Sequence, residues 1–334
     1  MTAPTVLFIG GTGRISAHCV AAAVARGMDV SVLNRAQTDL RPRAGAARYL
    51  RGDARDPQSL RDATAGQSFD SVINFVAYTA EDVLSDLDVF RGRMGQYVFI
   101  SSASCYQTPP LRLPITESTP LHNPVWAYSQ HKIRAEEALT AAYRWEGVPV
   151  TIVRPSHTYD AGSVPMDGQW TPIARMRAGK PVIVHGDGSS LWTLTHGRDF
   201  AKGFAGLIAN PRAVGDSFHI TSDEALSWDA IVRTLAHAAG VPGPALVHVP
   251  SDAIAAVDPA WGDGLLGDKA HSAVFDNSKL KALVPEFVCT TPFHAGAREI
   301  VEWFDARPER QVVDAAKDAA MDWLAETYRP RART

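Results

Sequence analysis

The chain has 334 residues, a net charge of −3 at pH 7 and 46% hydrophobic residues, which is enough apolar chain for one large domain and a smaller one. The nearly balanced charge argues against nucleic acid as the main partner, because phosphate binding requires clustered Lys and Arg. Three widely spaced cysteines form no disulfide framework, the histidines lack metal-ligand spacing, and no apolar run is long enough to cross a bilayer. A glycine-rich turn that begins by Gly10 also leaves no room for a secretory leader, so we expect a cytoplasmic protein without a metal site or a membrane partner.

Short β-branched and aromatic runs alternate with helical patterns through the first half of the chain. The runs predict strands at 5–9, 30–33, 47–50, 71–76, 97–101 and 150–153. The periodic stretches between them predict helices at 14–26, 57–63, 80–90 and about 128–145. This alternation is typical of an α/β fold, and we predict a doubly wound parallel sheet of the Rossmann type.

Beyond residue 165, proline and glycine residues break the pattern into shorter pieces. The apolar spacing there predicts helices at 197–208, 228–239, 278–283 and 292–304, strands at 217–220 and 246–249, and a closing helix within 308–328. We therefore predict a Rossmann domain over residues 1–165 and a smaller C-terminal substrate-binding region over 166–334. Parts of 195–225 are expected to return to the Rossmann unit.

The segment Gly10-Gly-Thr-Gly-Arg-Ile-Ser16 joins the first predicted strand to the first predicted helix. Glycines let the backbone turn sharply and approach a pyrophosphate, whose charge is then met by the helix N-terminus. The spacing is Gly-x-x-Gly-x-x-Ser rather than Gly-x-Gly-x-x-Gly, but Ser16 is small enough for close packing of helix on strand. The turn predicts a dinucleotide-phosphate site formed by the following residues: Gly10, Thr12, Gly13, Arg14 and Ile15.

The choice between NAD and NADP depends on the residues after the second strand. A carboxylate there would bind the ribose of NAD, whereas Asn34-Arg35 stands at this point and favours the 2′-phosphate of NADP. Arg35 could also stack on the adenine or be solvated. Asp53-Ala54 follows the third strand and is placed to meet the adenine, or Asp53 is only a turn residue that leads into a helix.

Tyr128 and Lys132 lie four residues apart at the start of a long predicted helix, so the phenol and the ammonium share one helical face. A Lys ammonium beside a tyrosine favours the phenolate and lowers the phenol pKa toward the range of a general acid–base. The preceding strand ends in Ile100-Ser-Ser-Ala-Ser104, and carboxyl ends of such strands face the ligand crevice. We predict a catalytic Ser102–Tyr128–Lys132 set with Ser104 beside the substrate. The alternative is a solvated helical ion-pair region with a serine-rich turn.

These motifs, with the Arg154-Pro155 pair after the sixth strand, resemble the extended short-chain dehydrogenase/reductase superfamily and, within it, the NAD-dependent epimerase/dehydratase family. The segments at 186–192, 196–201 and 218–222 are most similar to an atypical branch that includes the chloroplast stem-loop-binding proteins. The resemblance implies that Tyr128 exchanges a proton with substrate while hydride passes to or from a nicotinamide. It further implies that Lys132 holds the cofactor ribose, that Ser102 positions the reacting oxygen, and that Ala77 and Pro155 lie near the ribose and the nicotinamide. A homodimer through the helices at 80–90 and 128–145 is also implied.

Two departures from the family pattern concern the substrate. Nucleotide-sugar epimerases carry an Asn where this chain has His157, and a diphosphate-binding Arg where it has Trp192. A UDP-sugar is therefore in doubt, and Trp192 suits stacking on a sugar, a nucleoside or another ring; the alternative is a core residue. His196 is predicted to line the substrate cleft with His157, or to be a structural histidine.

We therefore expect an NAD(P)-dependent oxidoreductase or epimerase, with NADP favoured, that acts on a secondary alcohol or ketone of a sugar, sugar nucleotide or related polyol. The reaction type, whether epimerase, dehydratase or reductase, stays open because these reactions share one set of catalytic residues. The competing hypothesis is a non-catalytic Rossmann protein that senses the dinucleotide or binds RNA.

Overall fold

The computed structural model describes residues 2–35 and 44–329. Its strands are, in chain order, β1 (Thr5–Ile9), β2 (Asp29–Asn34), β3 (Arg48–Arg51), β4 (Ser71–Asn74), β5 (Tyr97–Ile100), β6 (Val150–Pro155), β7 (His157–Tyr159), β8 (Val182–His185), β9 (Leu191–Trp192), β10 (Leu194–His196), β11 (Ser217–Ile220), β12 (Leu226–Ser227) and β13 (Leu246–Val249). Its α-helices are α1 (Ser16–Ala25), α2 (Pro57–Ala63), α3 (Ala80–Phe90), α4 (Ala127–Glu146), α5 (Thr171–Arg177), α6 (Gly197–Ala205), α7 (Trp228–Ala238), α8 (Ser251–Val257), α9 (Pro259–Gly264), α10 (Ser278–Leu283), α11 (Phe293–Asp305) and α12 (Ala315–Tyr328). A π-helical turn, Leu265–Lys269, follows α9 directly.

Seven strands form one parallel sheet in the order β11-β6-β5-β4-β1-β2-β3. The chain moves outward from β1 to β3 and then returns to β4 on the other side of β1. At such a reversal the carboxyl ends of the strands open a crevice for ligands. The predicted α/β fold of the doubly wound Rossmann type is confirmed.

Helices cover both faces of this sheet, which explains why its strands are continuous apolar runs. On one face α1 and α6 pack through side chains such as Val20 and Phe204, and on the other α3 and α4 pack through side chains such as Leu87 and Leu139. Burial of a side chain of this size stabilises the fold by roughly 1.5–3 kcal/mol. The two layers therefore hold the carboxyl edge of the sheet rigid.

The second half of the chain builds a separate apolar cluster, in which α5, α7 and α11 surround β8, with Ile173, Leu235 and Ile300 at its centre. The strand at 217–220 nevertheless pairs with β6 in the main sheet, and α6 packs on α1. The domain limits at residue 165 stay a prediction.

The closing helix is shorter than the sequence pattern indicates. The pattern predicts a helix within 308–328, whereas residues 308–310 form a separate 3-10 turn and α12 begins at Ala315. Asp314 sets this start because its carboxylate accepts hydrogen bonds from the backbone N–H groups of Ala316 and Lys317.

The described residues also limit the kinds of site that the fold presents. No helix in the described ranges is both long and apolar enough to cross a lipid bilayer. Nor do residues 2–35 and 44–329 bring three His, Cys, Asp or Glu side chains together in a group that could hold a metal ion. All three cysteines are free, and two of them, Cys19 and Cys105, are buried.

Candidate active site

The turn between β1 and α1 lacks room for side chains at its first two glycines. Gly10 has φ of +84°, and a Cβ there would lie 2.4 Å from Cγ1 of Val76. Ser16 closes the turn: its Oγ accepts a hydrogen bond from Gly13 N at 2.8 Å and donates one to Gly10 O at 2.7 Å. The sequence indicated only that Ser16 is small enough for close packing. The structure adds that its hydroxyl group holds the turn by two hydrogen bonds.

A cavity of about 290 Å³ opens beside this turn, at the carboxyl ends of β2 and β3. It brings together five of the predicted cofactor residues, namely Thr12, Asn34, Arg35, Asp53 and Ala54. Sequence reasoning missed Arg55 and Tyr78, which line the same cavity. The Asp53 carboxylate accepts a hydrogen bond from Arg55 N at 3.0 Å, so it also serves the turn as the alternative interpretation suggested.

This cavity and the glycine turn fit a dinucleotide. The turn approaches a ligand with backbone alone, since a Cβ at Gly10 or Gly11 would collide with valine side chains. The cavity carries two guanidinium groups, those of Arg35 and Arg55, which suit phosphate oxygens. We call it the dinucleotide cavity.

Lys132 is almost fully buried, and its Nζ donates hydrogen bonds of 2.7 Å to the carbonyl oxygens of Ala77 and Ile100. The ammonium also lies 4.6 Å from the ring centre of Tyr78. Burial lowers the pKa of Lys132 to about 8. The side chain is thus anchored between the ends of β4 and β5, beside the predicted ribose position.

Tyr128 and Ser102 line one wall of another cavity, which has a volume of about 330 Å³. We call it the first cavity, as distinct from the dinucleotide cavity. Burial raises the pKa of the Tyr128 phenol well above its usual value, while its interaction with the Ser102 hydroxyl lowers it. The Lys132 ammonium donates to two carbonyl oxygens and lies 5.9 Å from the Tyr128 ring centre, and burial outweighs the lowering of the Tyr128 pKa expected from it. Tyr128 is therefore a protonated phenol at neutral pH in this structure.

A chain of hydroxyl groups supports Ser102. Its Oγ is 2.8 Å from Oγ of Ser104, which in turn accepts a hydrogen bond of 2.7 Å from Oγ of Ser129. Ser129 follows Tyr128 on α4 and was not predicted from the sequence. The chain ties the end of β5 to the first turn of α4, so Ser102 and Tyr128 are positioned together.

His157 and Trp192 meet at the back of the first cavity. Trp192 Nε1 donates a hydrogen bond of 3.2 Å to His157 Nδ1. Burial lowers the pKa of His157 well below its usual value, and the charges of Lys269 and Arg14 lower it further. Trp192 is only 3% exposed and packs against Trp228, so it is at once a cavity wall and a core residue. Its burial agrees with the interpretation of Trp192 as a core residue. Stacking of Trp192 on a ring of the substrate stays a prediction.

The remaining predicted site residues divide between this cavity and other places. Arg14, Ser104 and Pro155 line the first cavity, and the Ala77 carbonyl binds Lys132. His196 instead caps α6, where its Nδ1 accepts a hydrogen bond of 3.1 Å from Arg198 N, and its ring faces Tyr159. It lines neither the first cavity nor the dinucleotide cavity.

The π-helical turn supplies two cavity residues that sequence reasoning missed, Asp268 and Lys269. Their side chains form an ion pair of 3.8 Å, and burial raises the pKa of Asp268 to about 6. The Lys269 ammonium lies 5.5 Å from the ring centre of Trp126 and 5.9 Å from that of Trp192. No pattern in the sequence signals this turn, because its five residues carry no motif and lie far along the chain from the other site residues.

Comparison with known proteins identifies the family of the chain. The NAD dependent epimerase/dehydratase family matches residues 6–92 and 84–221, which together span well over half of the chain. This chain belongs to the NAD-dependent epimerase/dehydratase family. The resemblance stated from the motifs is confirmed.

The curated relatives include one reductase, several UDP-glucose 4-epimerases and one binding protein. The chain is 29% identical to 2'-dehydrokanamycin reductase of Streptomyces kanamyceticus over 84% of its own length and 79% of that protein. It is 26% identical to the chloroplast stem-loop binding protein of 41 kDa b of Arabidopsis thaliana, over 73% of this chain and 65% of that one. Membership of the epimerase/dehydratase family therefore supports an enzyme, without naming one reaction.

Solved structures of the family share the fold. The epimerase Mth375 of Methanothermobacter thermautotrophicus has a TM-score of 0.76 at 16% identity, covering 92% of this chain and 94% of that one. The UDP-glucose 4-epimerase of Bifidobacterium longum, in complex with NAD+ and UDP, has a TM-score of 0.70 at 22% identity, covering 92% and 99%. At these identities the likeness establishes the epimerase/dehydratase fold alone.

Proposed function

We propose that this protein is an NAD(P)-dependent oxidoreductase or epimerase that acts on a secondary alcohol or ketone of a sugar-like small molecule. The observation that carries the proposal is the position of Ser102 and Tyr128 on one wall of the first cavity, with Lys132 Nζ 5.9 Å from the Tyr128 ring centre and 4.6 Å from that of Tyr78, which lines the dinucleotide cavity. A phenol and a serine hydroxyl at a cavity wall can hold one oxygen of a substrate from two sides. The family match supports the same reading.

When bound, the nicotinamide would accept or supply a hydride at the reacting carbon. The groups of the protein would hold the reacting oxygen and move its proton. The Ser102 hydroxyl orients the oxygen, and the protonated Tyr128 phenol donates to it as negative charge develops. Lys132 would hold the ribose hydroxyls, because its ammonium has three N–H donors and the carbonyls of Ala77 and Ile100 accept from two of them. The Ala77 carbonyl would lie beside the same hydroxyls.

We favour NADP over NAD as the cofactor. Arg35 and Arg55 both line the dinucleotide cavity, where a 2′-phosphate would be neutralised by guanidinium groups. Retention of the cofactor through purification, measured by mass spectrometry after gentle denaturation, separates two reaction types. Stoichiometric bound dinucleotide supports an internal oxidation–reduction cycle, and an empty protein that binds added NADPH supports a reductase.

Replacement of Tyr128 tests the mechanism. Tyr128→Phe should lower kcat by about 10²–10⁴-fold with whichever keto sugar of a panel supports NADPH oxidation, because the proton donor is lost. The Kd for NADPH, measured by fluorescence titration, should change little. Tyr143→Phe, on the exposed part of the same helix, is the matched control.

Equal turnover in Tyr128→Phe and the wild type would contradict the role of Tyr128. A protein that binds neither NADH nor NADPH would contradict the proposed function as a whole. The competing hypothesis of a non-catalytic dinucleotide sensor or RNA-binding protein predicts dinucleotide or RNA binding without turnover of any substrate in the panel.

A further inference from the structure

A second cavity, of about 260 Å³, adjoins the first cavity on the side away from Tyr128. The two cavities share four lining residues, which we call the neck: Arg14, Trp126, His157 and Lys269. A molecule seated against Tyr128 and Ser102 could therefore extend through the neck into the second cavity. The reaction proposed at Tyr128 does not say which part of the substrate would lie in the second cavity.

Tryptophan side chains from three separate elements wall the second cavity. Trp126 precedes α4, Trp228 begins α7, and Trp261 lies in α9. Trp228 and Trp261 are 4% and 9% exposed, so the walls are held by packing. Lys317 lies over Trp261, 5.4 Å from its ring centre, and itself pairs with Asp167 and Asp258. Rigid indole faces of this kind suit a ring with an apolar face.

The charges at the neck indicate what joins the two parts of the ligand. Arg14 and Lys269 both bring a positive charge to the neck, and Asp268, 3.8 Å from Lys269, offsets one of them. Such a pair offers hydrogen-bond donors and acceptors side by side, and sugar hydroxyl groups both donate and accept. Arg14 and Lys269 would attract a diphosphate at the neck, and the Asp268 carboxylate would oppose it. The paired donors and acceptors match a hydroxyl-bearing linkage, and UDP is therefore the competing probe in the test.

We propose that the second cavity binds a second sugar ring, so that the substrate is a glycoside of at least two rings. The reacting ring lies in the first cavity, its glycosidic linkage passes the neck, and the distal ring packs on Trp261 and Trp228. This inference rests on the proposed function for the reacting ring. It assigns to the second cavity the selection of substrate length.

The test uses the full chain saturated with NADP⁺ and isothermal titration with defined probes. Maltose, cellobiose, lactose and trehalose are compared with methyl α-glucoside and with UDP. At least one disaccharide should bind about tenfold more tightly than methyl α-glucoside, and more tightly than UDP. Trp261→Ala should remove that difference and leave the Kd for methyl α-glucoside unchanged.

Two further variants separate a lost subsite from a damaged fold. Ala260 is exposed and lines the second cavity, so Ala260→Trp should obstruct the cavity without removing packing and should also lower disaccharide affinity about tenfold. Trp323→Ala removes a half-exposed indole from α12 and should leave every Kd unchanged.

Two results would overturn the inference. In the first, no disaccharide binds more tightly than methyl α-glucoside. In the second, UDP binds most tightly and Trp261→Ala or Ala260→Trp weakens UDP, which would make the second cavity a nucleotide site. If either result is found while NADPH still binds and turnover still depends on Tyr128, the proposed function is not contradicted. A wild-type protein that binds neither NADH nor NADPH contradicts the proposed function instead.

Discussion

Arg35 and Arg55 are the two residues on which the predicted preference for NADP rests. Both guanidinium groups line the dinucleotide cavity, and Arg35 directly follows β2, where the ribose would lie. A bond between a guanidinium and a phosphate contributes about 1.5–3 kcal/mol, whereas a guanidinium stacked on adenine serves NAD and NADP equally. The two interpretations of Arg35 therefore differ in what they predict.

Arg35→Ala should raise the KM for NADPH by about tenfold or more and leave the KM for NADH nearly unchanged, because only NADPH carries the 2′-phosphate. Steady-state kinetics with both cofactors measure the difference. Arg51→Ala, at an exposed position of β3, controls for the loss of one positive charge. An equal rise of both KM values would indicate stacking on the adenine instead.

At the scale of an element, α3 and β4 hold the loop on which Lys132 depends. The side-chain oxygen of Asn74, Oδ1, accepts hydrogen bonds from the backbone N–H groups of Val76 and Ala77, at 2.6 and 2.8 Å. Its amide donates to the buried carboxylate of Asp86 on α3, which also accepts a hydrogen bond of 2.6 Å from the Tyr97 hydroxyl. Burial raises the pKa of Asp86 to about 7. The support of the site thus contains a group that titrates in the physiological range.

The pH dependence of stability follows from this carboxyl. Its pKa is raised above the unfolded value of 3.8, so its contribution is fully present below pH 3.8 and is lost as the pH rises through 7. Asp86→Asn cannot ionise. As the pH rises from 4 to 8, the wild type should therefore lose up to about 4 kcal/mol of its free energy of unfolding relative to Asp86→Asn.

Urea unfolding at several pH values measures this gain. Asp88→Asn, an exposed change on the same helix, controls for the loss of one carboxylate. A constant difference between Asp86→Asn and the wild type across this range would show that Asp86 keeps its ordinary pKa.

At the scale of the whole molecule, α3 and α4, which cover one face of the sheet, each present exposed apolar side chains. Leu84, Tyr143 and Trp145 are 46%, 39% and 83% exposed. An ion pair of 2.8 Å between Arg91 and Glu146 joins the ends of the two helices. Exposed apolar side chains on paired helices suit contact with a second copy of the chain, the homodimer expected from the family resemblance.

Light scattering after size-exclusion chromatography should therefore give twice the mass of one chain. Leu84→Asp combined with Trp145→Asp should give the mass of one chain, because charged side chains would be buried in the interface. Val312→Asp, at a 69% exposed position outside these helices, should leave the dimer intact. A wild-type monomer would refute the expectation.

The sequence by itself determined the main sheet and the place of the glycine-rich turn, and it predicted the Ser102–Tyr128–Lys132 set, which stays a prediction. Strands buried on both faces are continuous apolar runs, and Tyr128 and Lys132 share a face because they lie four apart on one helix. Both patterns involve residues close together in the chain, so they can be recognised without knowledge of the tertiary structure. The cavity wall at Trp192 was also found, from its position in the family pattern.

Only the tertiary structure decided the composition of the substrate cavities. The contacts there join residues far apart in the chain: Asn123 Nδ2 donates to the carbonyl of Gly267, which holds the π-helical turn and so brings Lys269 to Trp126. The high pKa of Tyr128 likewise depends on burial, and the place of His196 on the packing of α6 against its neighbours. Short-range patterns cannot specify these features, because each arises from which distant surfaces meet.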